Sequence, residues 1–475
     1  MQTRAGKVIL PVFQKIQLCD GEDQGAQLFA RRSGFDKELY YRADIGIADA
    51  YDERNGKKCN LFPVVTNASG GVWEPALLYL AYRVFNLANC TMATNHNVAD
   101  DLVHFKRFLD DKNLEFDNFD SPASYELPTY RYRNYLQRQF EQGFLPVSSA
   151  KRRLQTVIGF YRYLIQSEIL TPKHAPWQAM TVKLHLRDAK GFARSRIVEK
   201  SDLRLKARMQ PDPYAETIDD GGKLRPLSWE HQLLLIRNLM GWTNPEMALI
   251  HLIAIFTGAR IQSILTLKQS NFPPKIAGYN AEYKLKVGPG TGVDTKGNKG
   301  IFLYFPAWLS QRICTYSISP RATKRRERTV DREHEDYLFL TKYGSPYYDT
   351  RLSMQKFRSE KTSRYNSNGQ EVRKFKAGLI NKIRQTDGVA DFYYRFHDLR
   401  ATFGMNLTDA QLQLVQEGKI TLAQAREYVR FRMGHSSYET TDKYLNYRAN
   451  LEFTHAIRDS YGAYLQDLSN VMLGT

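Results

Sequence analysis

The stretch Phe396-His397-Asp398-Leu399-Arg400 opens a run that continues through Met433-Gly434-His435-Ser436-Ser437 and closes at Thr441-Asp442-Lys443-Tyr444-Leu445. A histidine three residues before an arginine shares a helix face with it, because positions i and i+3 are neighbours there. Tyr444 follows His435 by nine residues, in a polar setting. Far upstream, Thr257-Gly258-Ala259-Arg260 supplies a second arginine. Two arginines, two histidines and a tyrosine suit a phosphodiester electrophile: guanidinium forks match phosphate oxygens in pairs, and a phenol can attack phosphorus.

The residues around this set predict how it is carried. Leu249 to Phe256 is apolar nearly all round, the pattern of a buried helix. Pro245 suits its first turn and Gly258 its end, which brings Arg260 out at the edge of the core. An arginine there is costly unless paired or aimed at an anion. Ser228-Trp229-Glu230 caps a preceding helix that runs to about Met240. Tyr283 to Val287 and Ile301 to Phe305 read as short strands around a glycine-rich hairpin from Gly288 to Gly300, able to reach into a groove. No Gly-Lys-Ser/Thr opens a helix there, so the glycines do not make an NTPase loop. Arg321 to Arg332 reads as a basic, helix-poor insertion and Tyr337 to Leu340 as a strand or apolar edge. Helices are predicted near Leu352 to Glu360, Lys374 to Arg384 and Leu451 to Leu473.

Upstream, the pattern is helical from Trp73 to about Leu170. Leu77, Leu80, Tyr82 and Phe85 line one candidate buried face, and Val98, Leu102, Phe105, Phe108 and Leu109 another. A third helix is predicted around Tyr130 to Gln142. Behind Ser148-Ser149 as a cap, Leu154, Val157, Ile158, Tyr161, Leu164 and Ile165 recur at helical spacing, with Lys151, Arg152, Arg153 and Arg162 on the other side. Residues 173–226 lose this periodicity, contain several prolines, and are basic at Lys183, Arg194 and Arg196 among others. They read as a linker, part of it folded, with Leu203 to Lys206 as a candidate strand; a connector crossing a phosphate backbone would use such charges. Residues 1–72 read as strand and loop.

With 68 Lys+Arg against 50 Asp+Glu, the chain carries a formal charge of +18, as expected of a protein that neutralises phosphates. The four cysteines are widely spaced and form no C-x-x-C pair, which argues against a disulfide framework and a zinc site and for a reducing compartment. No run approaches the ~20 apolar residues of a membrane span. Nothing resembles a secretory signal.

Order and spacing together resemble the tyrosine recombinases of the phage-integrase family. The family signature is an arginine after Thr-Gly-x, a His-x-x-Arg pair, a Gly-His and a tyrosine nine residues on. The likeness covers roughly residues 73–460. It implies a mainly α fold with a small β-sheet: an N-terminal extension (1–72), a helical core-binding domain (73–172), a basic linker (173–226) and an α+β catalytic domain with a C-terminal helix (227–475). It implies Tyr444 as nucleophile and Arg260 and Arg400 as phosphate ligands. His397 would take the phenolic proton or steer the phosphate, and His435 would donate to an oxygen. Lys296 is the hairpin lysine that protonates the leaving oxygen, with Lys299 as runner-up and as a DNA contact. The product would be a 3′-phosphotyrosine, formed without metal or cofactor. Implied partners are double-stranded DNA, a homotetramer on that DNA, and accessory DNA-bending or partner recombinase proteins. The implied setting is the cytoplasm, at the nucleoid. One position departs from the family: Ser263 stands where an acidic residue is usual. Two other readings fit the scaffold, a DNA-binding protein without turnover and a type IB topoisomerase-like enzyme.

Overall fold

The computed structural model describes residues 4–14, 17–20, 28–32, 39–42, 58–87, 90–187, 193–206, 216–241, 244–273, 282–351, 367–450 and 466. The helices predicted near Leu352 to Glu360 and Leu451 to Leu473 lie outside the described residues. The chain divides into two compact units, residues 1–209 with 351–366, and residues 210–350 with 367–475. Both combine helices with small antiparallel sheets.

In the first unit, β1 (Gly6–Gln14) pairs with β5 (Lys58–Thr66), and β2 (Gln17–Asp20), β3 (Leu28–Arg32) and β4 (Leu39–Arg42) make a three-stranded sheet in the order β2-β4-β3. Four helices follow: α1 (Glu74–Asn86), α2 (Met92–Asp111), α3 (Pro128–Glu141) and α4 (Val147–Gln166). Their apolar stripes close on an aromatic core of Trp73, Phe105, Tyr132, Phe160 and Tyr161, into which β5 sends Phe62, Val64 and Val65. Strand and helices therefore share one core. All five apolar residues predicted on α2 are buried. On α1 the buried face is Ala76, Tyr79 and Leu80, whereas Tyr82 is exposed. Pro146, not a serine, precedes α4, because its fixed φ suits the residue that enters a helix.

Within the segment read as a partly folded linker, the described residues 173–187 and 193–206 include two strands. β6 (Ala179–Arg187) and β7 (Ala193–Ser201) form a hairpin in continuous register, and Leu203 and Leu205, which are not in a strand, are buried in the same core.

The second unit begins with a miniature hairpin, β8 (Ile218–Asp219) and β9 (Lys223–Leu224), turning at Gly221-Gly222. Ser228 caps α5 (Trp229–Met240) by accepting from the His231 amide. Asn244 caps α6 (Pro245–Thr257), which is buried on all sides and ends at Gly258 in the left-handed conformation, φ 66°. The turn α7 (Ile261–Leu265) follows, then strands β10 (Tyr283–Val287) and β11 (Ile301–Phe305) at the predicted positions. They are followed by α8 (Ala307–Ser317) and α9 (Pro320–Arg326). The basic segment predicted to be helix-poor thus starts as a helix. Ser319 caps it, Pro320 takes its first turn, and the wholly buried Glu246 of α6 binds Arg321 at 2.7 Å and Arg325 at 3.2 Å. The unit is completed by α10 (Gln370–Thr386), α11 (Asp398–Gln416), α12 (Leu422–Met433) and α13 (438–450).

Candidate active site

Two left-handed glycines place two of the candidate side chains. Gly258 ends α6 and turns the chain so that Arg260 leaves the core; a Cβ on it would lie 2.4 Å from a ring carbon of Phe403. Gly434 ends α12 at φ 64° and sends His435 back across the helix end. His397 is the residue before α11, and Arg400 sits one turn on, in the buried first turn. Tyr444 lies on α13, its ring fully buried. Its packing partners are Ala401, Phe403, Met405, Val429 and Met433, together with Ile218 and Leu224 of the β8–β9 hairpin.

These five side chains converge on one residue, Asp220, four of them on its carboxylate. Arg400 donates from Nε to Oδ2 at 2.8 Å, and Arg260 from Nη2 to Oδ1 at 3.4 Å. His435 Nε2 and the Tyr444 hydroxyl reach Oδ2 at 3.4 and 3.2 Å. His397 Nε2 meets the backbone carbonyl of the same residue at 3.3 Å. A carboxylate and a carbonyl can only accept, so both histidines carry their proton on Nε2. In His435 that leaves Nδ1 to accept from the Thr441 hydroxyl at 3.0 Å. Arg400 is held on its other two nitrogens by the carbonyls of Gly258 and Met433, at 2.8 and 2.7 Å. This one residue thereby ties the ends of α6 and α12 to α11.

The charges follow from burial. Both histidines are pushed down by desolvation, with the neighbouring Arg400 adding to it, so they are neutral at pH 7. Arg260 is lowered to about 10 by burial and by Arg400, and it stays charged. Burial pushes the Asp220 carboxyl up, but hydrogen bonds from His435 and Arg400 outweigh it and hold the group well below the usual carboxylate range. Desolvation and the adjacent carboxylate push the Tyr444 phenol far up, so it is protonated and donates. Two guanidinium charges against one carboxylate leave the cluster positive by one. The Arg260 Nε is buried without a hydrogen-bond partner among the described residues, a spare donor aimed at no protein atom.

Lys296 starts the short turn Lys296–Asn298 between β10 and β11 and is exposed. Its Nζ lies 2.8 Å from where a Cβ on Gly221 would stand, so it approaches the same hairpin that carries Asp220. Lys299 is exposed on that turn, its carbonyl accepting from Thr295 at 2.6 Å. Ser263 is buried beside Arg260 in sequence and supplies no carboxylate; the nearby acid is Asp220. Among the described residues, no three His, Cys, Asp or Glu side chains gather to hold a metal ion.

No family model matches the chain, and no curated protein matches it. Among solved structures it is similar to the XerH site-specific recombinase bound to difH substrate in a pre-cleavage complex. That match has 15% identity and a TM-score of 0.47, over 78% of this chain and 92% of that one. It is also similar to the Tn1549 transposon integrase in complex with a circular intermediate DNA, at 13% identity and a TM-score of 0.45, over 79% and 98%. A third is a lambda integrase dimer bound to a core site, at 14% identity and a TM-score of 0.41, over 79% and 95%.

Outside the cluster, Lys151, Arg152 and Arg162 are exposed on α4 and Arg153 is half-buried. Arg152 is committed to an internal pair: its Nη1 sits 2.7 Å from the buried Asp101, which also lies 3.9 Å from Arg153. Lys183, Arg194 and Arg196 fall on the β6–β7 hairpin, and their side chains lie outside the described residues. No helix among the described residues is long and apolar enough to cross a membrane.

Sequence reading missed Asp220 and Thr441. Asp219-Asp220-Gly221-Gly222 carries a hairpin signal in its Asp-Gly step, but that signal says nothing of which arginines the carboxylate will meet.

Gly404 of α11 offers a test of how tightly the phenol is placed. A Cβ there would stand 2.4 Å from Tyr444 Cε1 and 2.9 Å from Met433 Cε. Alanine normally gains ~1 kcal/mol over glycine inside a helix. Gly404→Ala is instead expected to lower stability by roughly 1–3 kcal/mol through overpacking. It is also expected to slow any reaction of the phenol by about 10²-fold through misplacement. Thermal melts and a rate for Tyr444 chemistry check both.

Proposed function

We propose that this chain is a site-specific DNA recombinase or integrase that cuts and rejoins strands through a 3′-phosphotyrosine at Tyr444. One observation carries the reading: two guanidinium groups, one neutral imidazole and one phenol are gathered within hydrogen-bond reach of a single carboxylate, with a second neutral imidazole on the backbone carbonyl of the same residue. A phosphodiester is also a monoanion with two free oxygens, and the same donors fit it.

With a scissile phosphate in that place, Arg260 and Arg400 hold the non-bridging oxygens and His435 donates to one of them. They stabilise the charge that grows as phosphorus becomes five-coordinate. The Tyr444 oxygen forms the new bond to phosphorus while the bond to the 5′-oxygen breaks. His397, neutral and unprotonated at Nδ1, takes the phenolic proton, and Lys296 gives one to the leaving 5′-oxygen. The phosphoester bond is conserved in the protein-linked strand, so rejoining to another 5′-hydroxyl needs no ATP. Exchange between two duplexes needs four cuts, which calls for a homotetramer on DNA. The net charge of +18 and the basic face of α4 serve the backbone contacts.

The test uses duplexes of randomised sequence carrying a nick, so that the released flap diffuses away. The full chain should become covalently linked to one DNA strand, stable to denaturant, and a second duplex should then yield exchanged products. Adducts without exchange would point to a topoisomerase-like activity, and DNA binding with no adduct at all to a protein without turnover.

A further inference from the structure

The Asp220 carboxylate occupies the place where the reacting phosphate belongs in the reading above. Oδ2 receives Arg400, His435 and Tyr444, and Oδ1 receives Arg260, while His397 lies on the backbone carbonyl of the same residue and the other two nitrogens of Arg400 hold the carbonyls of Gly258 and Met433. Access is closed as well. Tyr444 is 0% exposed, Asp220 4% and Arg400 3%, so a phosphate on a rigid duplex cannot reach the phenol while the hairpin stays in place.

The hairpin is seated by contacts of modest strength. Ile218 and Leu224 fill the apolar cluster around the Tyr444 ring. The Arg225 amide donates to Asp398 at 3.1 Å, Lys443 reaches the Asp219 carbonyl at 3.4 Å, and Arg395 holds the Lys223 carbonyl. Each strand is two residues long, and the turn between them is Asp220 followed by two glycines with φ of 72° and 153°. A two-residue ladder adds little stability of its own.

We infer that β8–β9 is an intrasteric plug: Asp220 acts as an internal surrogate for the scissile phosphate, and the hairpin must be lifted by incoming DNA before strand cleavage. This rests on the proposed strand-transfer reading and adds its regulation. The plug keeps the phenol protonated, buried and bonded to a group that cannot be attacked. It also pairs the buried Arg400 and the partly buried Arg260, whose charges would otherwise be costly in the absence of DNA. The spare positive charge and the unpartnered Arg260 Nε let a phosphate outbid the carboxylate once its own diester oxygens arrive.

Asp220→Asn and Asp220→Ala in the full chain test this with two independent readouts. The first is inorganic phosphate binding, followed as a phosphate-dependent rise in melting temperature. Both variants are expected to bind phosphate at least 10-fold more tightly than the unaltered chain, whose site is filled. The second is the initial rate of covalent linkage to the nicked duplexes, expected to rise at least 10-fold in Asp220→Asn. Phosphate binding no tighter than in the unaltered chain would overturn the plug. So would a fall in linkage rate, because Asp220 would then be positioning Arg260 and Arg400 for catalysis. Tighter phosphate binding with no linkage in any form of the chain would keep the plug as an anion surrogate and refute the strand-transfer reading instead. Asp220→Asn keeps the size of the side chain and guards against an Asp220→Ala chain that fails to fold.

Discussion

Tyr444→Phe is expected to fold, to bind DNA as the unaltered chain does, and to form no covalent adduct. The ring stays in its apolar cluster, so packing with Phe403, Met433 and the hairpin is kept. What is lost is one hydrogen bond to Asp220, whose Oδ2 retains Arg400 and His435. The cost to stability is about 1 kcal/mol. The chemical cost is total, because Tyr444 carries the phenol that meets the Asp220 carboxylate: Tyr438 is exposed, donates to Glu427 and has the Arg426 and Arg430 guanidinium groups over its ring. Thermal melts, a DNA-binding isotherm and a denaturing gel separate these three expectations.

Arg400→Lys should damage both stability and chemistry, although charge is conserved. The guanidinium sends three bonds in three directions, to Asp220, Gly258 and Met433, from a side chain that is 4% exposed. A lysine ammonium is a single point on a flexible stem and cannot reproduce that fork. At least one buried carbonyl would be left unpaired, and the ends of α6 and α12 would lose their common tie. A loss on the order of 3 kcal/mol is expected in a melt. Adduct formation per folded molecule should fall by about 10²–10³-fold, the usual cost of one oxyanion donor. A rate loss without a stability loss would mean that the carbonyl contacts matter little to the fold.

Much of the second unit could be read from the chain because its signals are local. The all-apolar run of α6 and the glycine that ends it lie within one stretch, as do the two five-residue strands around the hairpin. His-x-x-Arg and Gly-His bring their own helix ends with them. The missed features depend on partners remote in sequence. Seven residues of Pro-Arg-Ala-Thr-Lys-Arg-Arg look like a solvated loop until Glu246, some 75 positions earlier, is found buried beneath them. Residues 179–201 read as linker for another reason: the alternation of Val182, Leu184 and Leu186 is short and set in a basic stretch between Pro176 and Pro211. Asp220 gave no sign of its place, since it reaches the cluster by joining residues 40 and 180 positions further along.

The most direct measurement is the chemical identity of the protein–DNA link. Linked complexes formed on nicked duplexes would be digested with nuclease and protease and the modified peptide read by mass spectrometry. The expected product is a single nucleotide joined through its 3′-phosphate to Tyr444, with no other modified residue. A nucleotide on Tyr438 or Tyr447, a link through a 5′-phosphate, or no link at all would contradict it.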